Sequence, residues 1–360
     1  MNASAVAVEQ LSLTIGEFQL DRLDFALNAG EILVILGPNG SGKSVTLETV
    51  AGFHAPRAGR IVIAGRNVTA LPPERRNVAF LVQNFGLFPH MTVEQNVAIG
   101  LRGAPSGKPA VLPFGKVGKL LERFGITQLA RRMPQSLSPG EKQRVAFARA
   151  LAAAPDVFLF DEPFSALDRH TSNALRDELL SFLRGLSIPA IFVTHDHEDA
   201  MALADKIIVL RGGSTVQAAT VDEVFRKPAN VFVAKFVGVE NIFAGRIDER
   251  SAGYATLAVA DKRLSAFAPA GLGDKVWVAI PADAVIARPP GNAAATAAPR
   301  INHLAARVES VRALGPLATV TLDCGFALKA HVMTRDVGAF ATGTAIEVEI
   351  AADAIHLMAD

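Results

Sequence analysis

The segment Leu36-Gly-Pro-Asn-Gly-Ser-Gly-Lys-Ser44 constrains this chain more than any other. From Gly37 to Ser44 it matches G-x-x-x-x-G-K-[ST], with the strand-like run Glu31–Leu36 before it and a helix-like run, Ser44 to Ala51, after it. A strand that passes into a helix through glycines curls its backbone so that successive N–H groups face one point, and that point suits a phosphate. In such a loop Lys43 neutralises charge on the β- and γ-phosphates and Ser44 ligates Mg²⁺. The loop also requires a buried parallel strand to carry it, so the residues around it must form an α/β layout.

Other runs supply the neighbouring strands. "VFLFDE" and "AIFVTHD" are apolar and end in polar residues, the pattern of buried strands with a ligand at their C-terminal ends. The first delivers Asp161, which would hold the metal directly or through water, and Glu162, placed to polarise a water for attack on the γ-phosphate. An adjacent Asp-Glu pair predicts hydrolysis rather than transfer to a bound acceptor. The second delivers His195 to the γ-phosphate, with His197 as a rival two residues further from the strand. Gln83 follows "VAFLV" and can reach the metal or the attacking water.

"LSPGEKQ", Leu137 to Gln143, predicts a second anion-friendly helix start: a Ser138 cap, Pro139 at the first helical position and Glu141 closing the box. From about residue 241 the texture becomes strand and turn. Asn241-Ile-Phe-Ala-Gly-Arg-Ile247 echoes Asn302-His-Leu-Ala-Ala-Arg-Val308, and Gly273–Val285 echoes Gly343–Ile355 in the same order. A Pro/Gly/Ala linker, Arg288 to Arg300, lies between the copies. The formal net charge of +1 gives no field of the kind that would attract nucleic acid. The one cysteine, Cys324, excludes an intramolecular disulfide framework and reads as a small apolar strand residue in a reducing compartment. No secretory signal is evident, and no apolar run reaches the ~18 residues of a membrane span. The chain therefore reads as soluble and cytoplasmic unless a partner tethers it.

Together these residues resemble the nucleotide-binding subunit of ABC transporters, over nearly the whole chain. The resemblance rests on Gly37–Ser44, Gln83, "LSPGE" at Leu137–Glu141, the pair Asp161 and Glu162, "SALD" at Ser165–Asp168 and His195, in the family's order. It implies an α/β P-loop NTPase, the ABC cassette, over residues 1–236 with a helical subdomain at about 84–150. An all-β C-terminal domain over 237–360 follows, with two barrel-like repeats (TOBE/MOP-like) at about 241–287 and 302–358. ATP and Mg²⁺ are the implied cofactors. Gly37, Pro38, Asn39, Gly40, Ser41, Gly42, Lys43, Ser44 and Thr46 would hold the nucleotide, and Ser44, Gln83 and Asp161 the metal. Glu162, His195 and Gln83 would serve hydrolysis.

The family also implies a head-to-tail homodimer in which Ser138, Gly140 and Glu141 reach the partner's ATP and Asp168 crosses the interface. Gln83 and the loop after it would face a transmembrane permease at the cytoplasmic side of the inner membrane, with an extracytoplasmic binding protein as an indirect partner. Two departures stand out: Pro139 replaces the usual first glycine, and Ile15 occupies the place of the usual adenine-stacking aromatic, Phe18 being the nearest ring. The tail resembles that of molybdate/tungstate importers, which implies import of that oxyanion, with sulfate, ferric iron, polyamine or sugar as alternatives. A regulatory oxyanion would sit near Ser310, Lys329 and Gly315, or the tail would only strengthen the dimer. A soluble non-transport ABC ATPase, a P-loop kinase and a passive oxyanion-binding module are the competing classes.

Overall fold

Apolar residues at about every second position from Val6 to Leu27 form a hairpin, β1 (Val6–Ile15) and β2 (Phe18–Leu27), with one buried face. In this computed structural model, which describes residues 4–82, 86–102, 117–165, 169–289 and 300–359, the next strand differs in kind. β3 (Ile32–Leu36) is buried at every position, as a strand covered on both faces must be. It passes through the glycine loop into α1 (Lys43–Ala51). β4 (Ala58–Ile63) and β5 (Arg66–Asn67) return to the hairpin and complete an antiparallel sheet of order β2-β1-β4-β5. β6 (Val78–Leu81) precedes three helices, α2 (Val93–Arg102), α3 (Val117–Arg123) and α4 (Pro139–Ala152).

The chain then alternates strand and helix: β7 (Val157–Asp161), α5 (Arg169–Arg184), β8 (Ala190–Val193), α6 (His197–Leu203), β9 (Lys206–Arg211) and a final β10 (Ser214–Thr220). The second sheet has the order β10-β9-β3-β8-β7-β6, with every pairing parallel except β9 with β10. Register places Ile35 and Asp161 on either side of Val193, so the loop after β3, the end of β7 and the residues after β8 emerge along one edge. A crevice at the carboxyl ends of parallel strands is where such sheets bind ligands. One apolar core, including Leu33, Ile35, Leu47, Leu159 and Ile191, joins both sheets.

This first compact unit covers Met1–Val221, and Asp222–Asp360 forms the second. The second opens with two short helices, α7 (Val221–Arg226, whose first residue closes the first unit) and α8 (Val231–Phe236). Ten strands follow. The first five are β11 (Asn241–Ser251), β12 (Tyr254–Val259), β13 (Lys262–Phe267), β14 (Lys275–Ile280) and β15 (Val285–Arg288). The others are β16 (Ile301–Leu314), β17 (Leu317–Asp323), β18 (Ala327–Met333), β19 (Ala345–Ala351) and β20 (His356–Ala359). The two halves fold alike and exchange their last strands: the sheets are β13-β12-β11-β14-β20 and β15-β19-β16-β17-β18.

The opening asparagine of each copy clasps the other copy. Asn241 Nδ2 donates to the Lys329 carbonyl at 2.9 Å and its Oδ1 accepts from the Lys329 N–H at 2.7 Å. Asn302 does the same to Ser265, at 2.9 and 2.6 Å. The buried apolar residues of both sheets form one core, which includes Cys324, so neither copy is an independent barrel. Burial pushes the Cys324 thiol up to about 11, in keeping with an inert apolar role.

Candidate nucleotide site

The loop from Gly37 to Gly42 ends in a left-handed glycine, Gly42, which caps α1. A side chain there would collide with the Phe18 ring, whose Cζ would lie 2.3 Å from an added Cβ. Phe18, at the start of β2, is thus the aromatic lying on the loop, whereas Ile15 is exposed at the end of β1. Lys43 is buried, and its Nζ donates to the carbonyls of Gly37 at 2.9 Å and Pro38 at 3.1 Å. Burial pulls its ammonium below the ordinary lysine range, against the opposing carboxylates of Glu162 and Asp161. Ser41 is buried with its Oγ unpartnered among the described residues, an orphaned hydroxyl inside the loop. Thr46 is fully buried and spends its hydroxyl on the Gly42 carbonyl at 2.8 Å, so it supports the loop from beneath.

Ser44 Oγ donates to Asp161 Oδ1 at 3.0 Å, joining two motifs that lie 117 residues apart. Burial raises the Asp161 carboxyl, as do the charges of Glu162 and Glu48, while the Ser44 bond and Lys43 lower it. A hydroxyl and a carboxylate side by side, next to a phosphate-shaped loop, are hard oxygen donors of the kind Mg²⁺ takes from a protein, the remainder coming from phosphate and water. The residues therefore fit the metal.

Glu162 stands in the left-handed region at φ 46° and donates its N–H to the Val193 carbonyl at 2.9 Å, which turns it out of the strand line. Its Oε1 lies 3.0 Å from His195 Nδ1. His195 is exposed, while burial lowers the affinity of the His197 ring for a proton. Of the two histidines, His195 is the one brought to Glu162. Gln83 and Asp168 lie outside the described residues.

The second helix start sits on α4. Ser138 Oγ accepts from the Glu141 N–H at 3.3 Å, and Glu141 Oε2 accepts from the Ser138 N–H at 2.8 Å. That backbone bond holds the Glu141 carboxyl below the usual carboxylate range. Pro139 occupies the first helical position, where its missing N–H leaves no intrahelical bond unmade. In the last turn of α4, Arg149 donates to the Gly86 carbonyl at 2.6 Å and lies over the Phe88 ring at 5.6 Å. Phe53, Val82, Phe88 and Leu101 are exposed, and a cleft of ≈ 390 Å³ lined by Phe80, Val82, Phe88, Ile99 and Ala146 opens there.

In the tail, Thr321 pairs with Ser310 on one side and Lys329 on the other, so those two side chains share a row two strands apart. Gly315 sits at the tip of the β16–β17 hairpin, away from that row, and the three do not form one anion site. No motif of the sequence marks Arg176 and Asp199, which pair next to Thr194, the residue before His195. Their only local signal is an arginine and an aspartate on helices, where solvated charges are the rule.

A family model described as ABC transporter matches residues 20–165. A molybdate/tungstate import ATP-binding protein of Pyrococcus horikoshii is 40% identical over 329 residues, 91% of each chain. A sulfate/thiosulfate import ATP-binding protein of Thermosynechococcus vestitus is 37% identical over 331 residues, covering 91% of this chain and 90% of the relative. The solved structure of cbiO1 from Clostridium perfringens, part of the ABC transporter complex cbiONQ, aligns with a TM-score of 0.55 at 27% identity, over 62% of this chain and 91% of that one.

Proposed function

The chain belongs to the ATP-binding subunits of ABC transporters, and from that premise we propose that it hydrolyses ATP to power import of molybdate or tungstate through a membrane permease. The observation that carries the hydrolytic reading is the meeting of Glu162 with His195, at 3.0 Å, beside the Ser44–Asp161 bond. In this reading Lys43 exchanges the Gly37 and Pro38 carbonyls for phosphate oxygens, and the loop amides bind the rest of the chain of phosphates. Ser44 and Asp161, with Gln83, would hold Mg²⁺, which when bound neutralises charge developing on the phosphates. Glu162 accepts the proton of the attacking water, and His195 fixes the carboxylate and reaches the γ-phosphate. Phe18, lying on Gly42, is the ring available to the base.

Ser138 and Gly140 start a helix on α4 whose box is already closed within the subunit, and Gly140 has room beside it, with Leu175 3.6 Å from an added Cβ. Its spare anion affinity is therefore assigned to a nucleotide held by a second copy, with Asp168 crossing between the two. The apolar cleft at Val82 and Phe88 suits a permease segment, Val82 being the residue before Gln83 in the chain. Among the described residues no helix is long and apolar enough to cross a membrane, and the proposed location is the cytoplasmic face of the inner membrane, held there by that permease. An extracytoplasmic binding protein would deliver the cargo.

The identity to the molybdate/tungstate relative supports that cargo, and the sulfate/thiosulfate relative keeps sulfate as the second reading. Glu162→Gln tests the mechanism. It should still bind ATP while hydrolysis falls by about 100-fold or more; native turnover in that variant would remove Glu162 as the base and sink the proposal.

A further inference from the structure

Arg176 of α5 and Asp199 of α6 form an ion pair that the hydrolytic steps leave unused. Arg176 Nε donates to Asp199 Oδ1 at 2.9 Å, and its Nη1 donates to Asn173 Oδ1 at 3.1 Å. Asp199 Oδ2 accepts from Thr194 Oγ1 at 3.2 Å, and that hydroxyl accepts from the Asp196 N–H at 3.0 Å. The same guanidinium lies 5.8 Å from the centre of the Phe164 ring. Arg176, Asp199 and Thr194 are 8%, 5% and 4% exposed.

Position gives this cluster its meaning. Thr194 and Asp196 flank His195 in the chain, and Phe164 follows Glu162 by two residues. One guanidinium therefore touches the support of both members of the Glu162–His195 pair. A buried ion pair is a weak source of stability, because well-packed apolar side chains of similar volume often fill the space as well. A cleft of ≈ 140 Å³ borders Phe164, Thr194, His195 and Asp199, so an unbraced His195 has room to turn away from Glu162.

We propose that Arg176 and Asp199 are positioning residues that hold the segments carrying Glu162 and His195 at their working separation; this rests on the hydrolytic reading of that pair. The chemistry needs that separation, since misplacing a reacting group by about 1 Å lowers a rate by about 100-fold.

The test compares the native chain, Glu162→Gln, the apolar double variant Arg176→Met/Asp199→Leu, and Thr194→Val. Melting temperature, KM for ATP and kcat are measured for each. The double variant should melt close to the native chain and keep KM within about twofold, while kcat falls about 10-fold or more. Thr194→Val should lower kcat in the same direction with KM unchanged. Native kcat in the double variant overturns the proposal. Should the double variant fail to fold, native kcat in Thr194→Val assigns the pair to stability alone and overturns it equally. Native turnover in Glu162→Gln instead removes the hydrolytic reading, a failure separate from either of these.

Discussion

Asp161 ends β7 with its carboxylate drawn into the sheet edge, where burial and the charges of Glu162 and Glu48 raise its affinity for a proton. A carboxyl whose folded-state value lies above its unfolded one favours the fold at low pH, and that contribution is lost as pH rises through the folded-state value. In neutral solution the charge therefore opposes folding of the nucleotide-free chain. Asp161→Asn should raise the melting temperature of that chain, with a gain that is absent below about pH 4 and grows toward neutrality. The same variant should lose Mg²⁺-dependent hydrolysis by about 100-fold or more. A lower melting temperature at pH 7 would show that the carboxylate supports the empty fold. Lys43, Ser44 and Asp161 were legible in the sequence because each stands at a fixed offset from a buried strand. Phe18 was legible as the nearest ring, but its contact with Gly42 was not, because the turn at Gly16 sets where that ring lies. Nor was the brace of Arg176 and Asp199, since packing between two helices creates it.

At the scale of the element, α4 ties the parts of the site together. Its 14 residues span about 21 Å. The Ser138–Glu141 box closes its first turn, and Arg149 holds Gly86 and covers Phe88 near its last. Between them Gln143 is fully buried, and neither its Oε1 nor its Nε2 has a hydrogen-bond partner among the described residues. Two orphaned polar atoms destabilise, and an apolar side chain of similar size does not carry that penalty. Gln143→Leu should stabilise the chain by about 1–2 kcal/mol in chemical denaturation; a lower midpoint would mean that the amide is satisfied in solution. The cap was readable from seven residues, "LSPGEKQ". The burial of Gln143 was not, because the box and the apolar run after it specify a helix start without specifying which face the rest of the protein covers.

Over the whole molecule the sequence carried the order of motifs, the change of texture near residue 241 and the duplication in the tail. It did not carry the exchange of β15 and β20. Each is a four-residue strand with turn-like residues before it, and pairing with either sheet satisfies its backbone. The reciprocal asparagines show why the copies begin alike: each Asn fixes the other copy's third strand. Calorimetry of the full chain with its phosphate loop filled by ADP should show molybdate and tungstate binding more tightly than sulfate; binding of sulfate alone would move the assignment to the sulfate reading.

The central claim is that a complete ATP site needs the phosphate loop of one copy and the Ser138 helix of another. Two variants test it directly: Lys43→Ala, which spoils the loop, and Ser138→Arg, which spoils the helix start. Each alone should be inactive. Mixed in equal amounts, they form a mixed dimer with one site carrying both faults and one carrying none, so hydrolysis should return, to at most about a quarter of the native rate. A mixture as inactive as its components, in solutions where mixed dimers are present, would contradict the account.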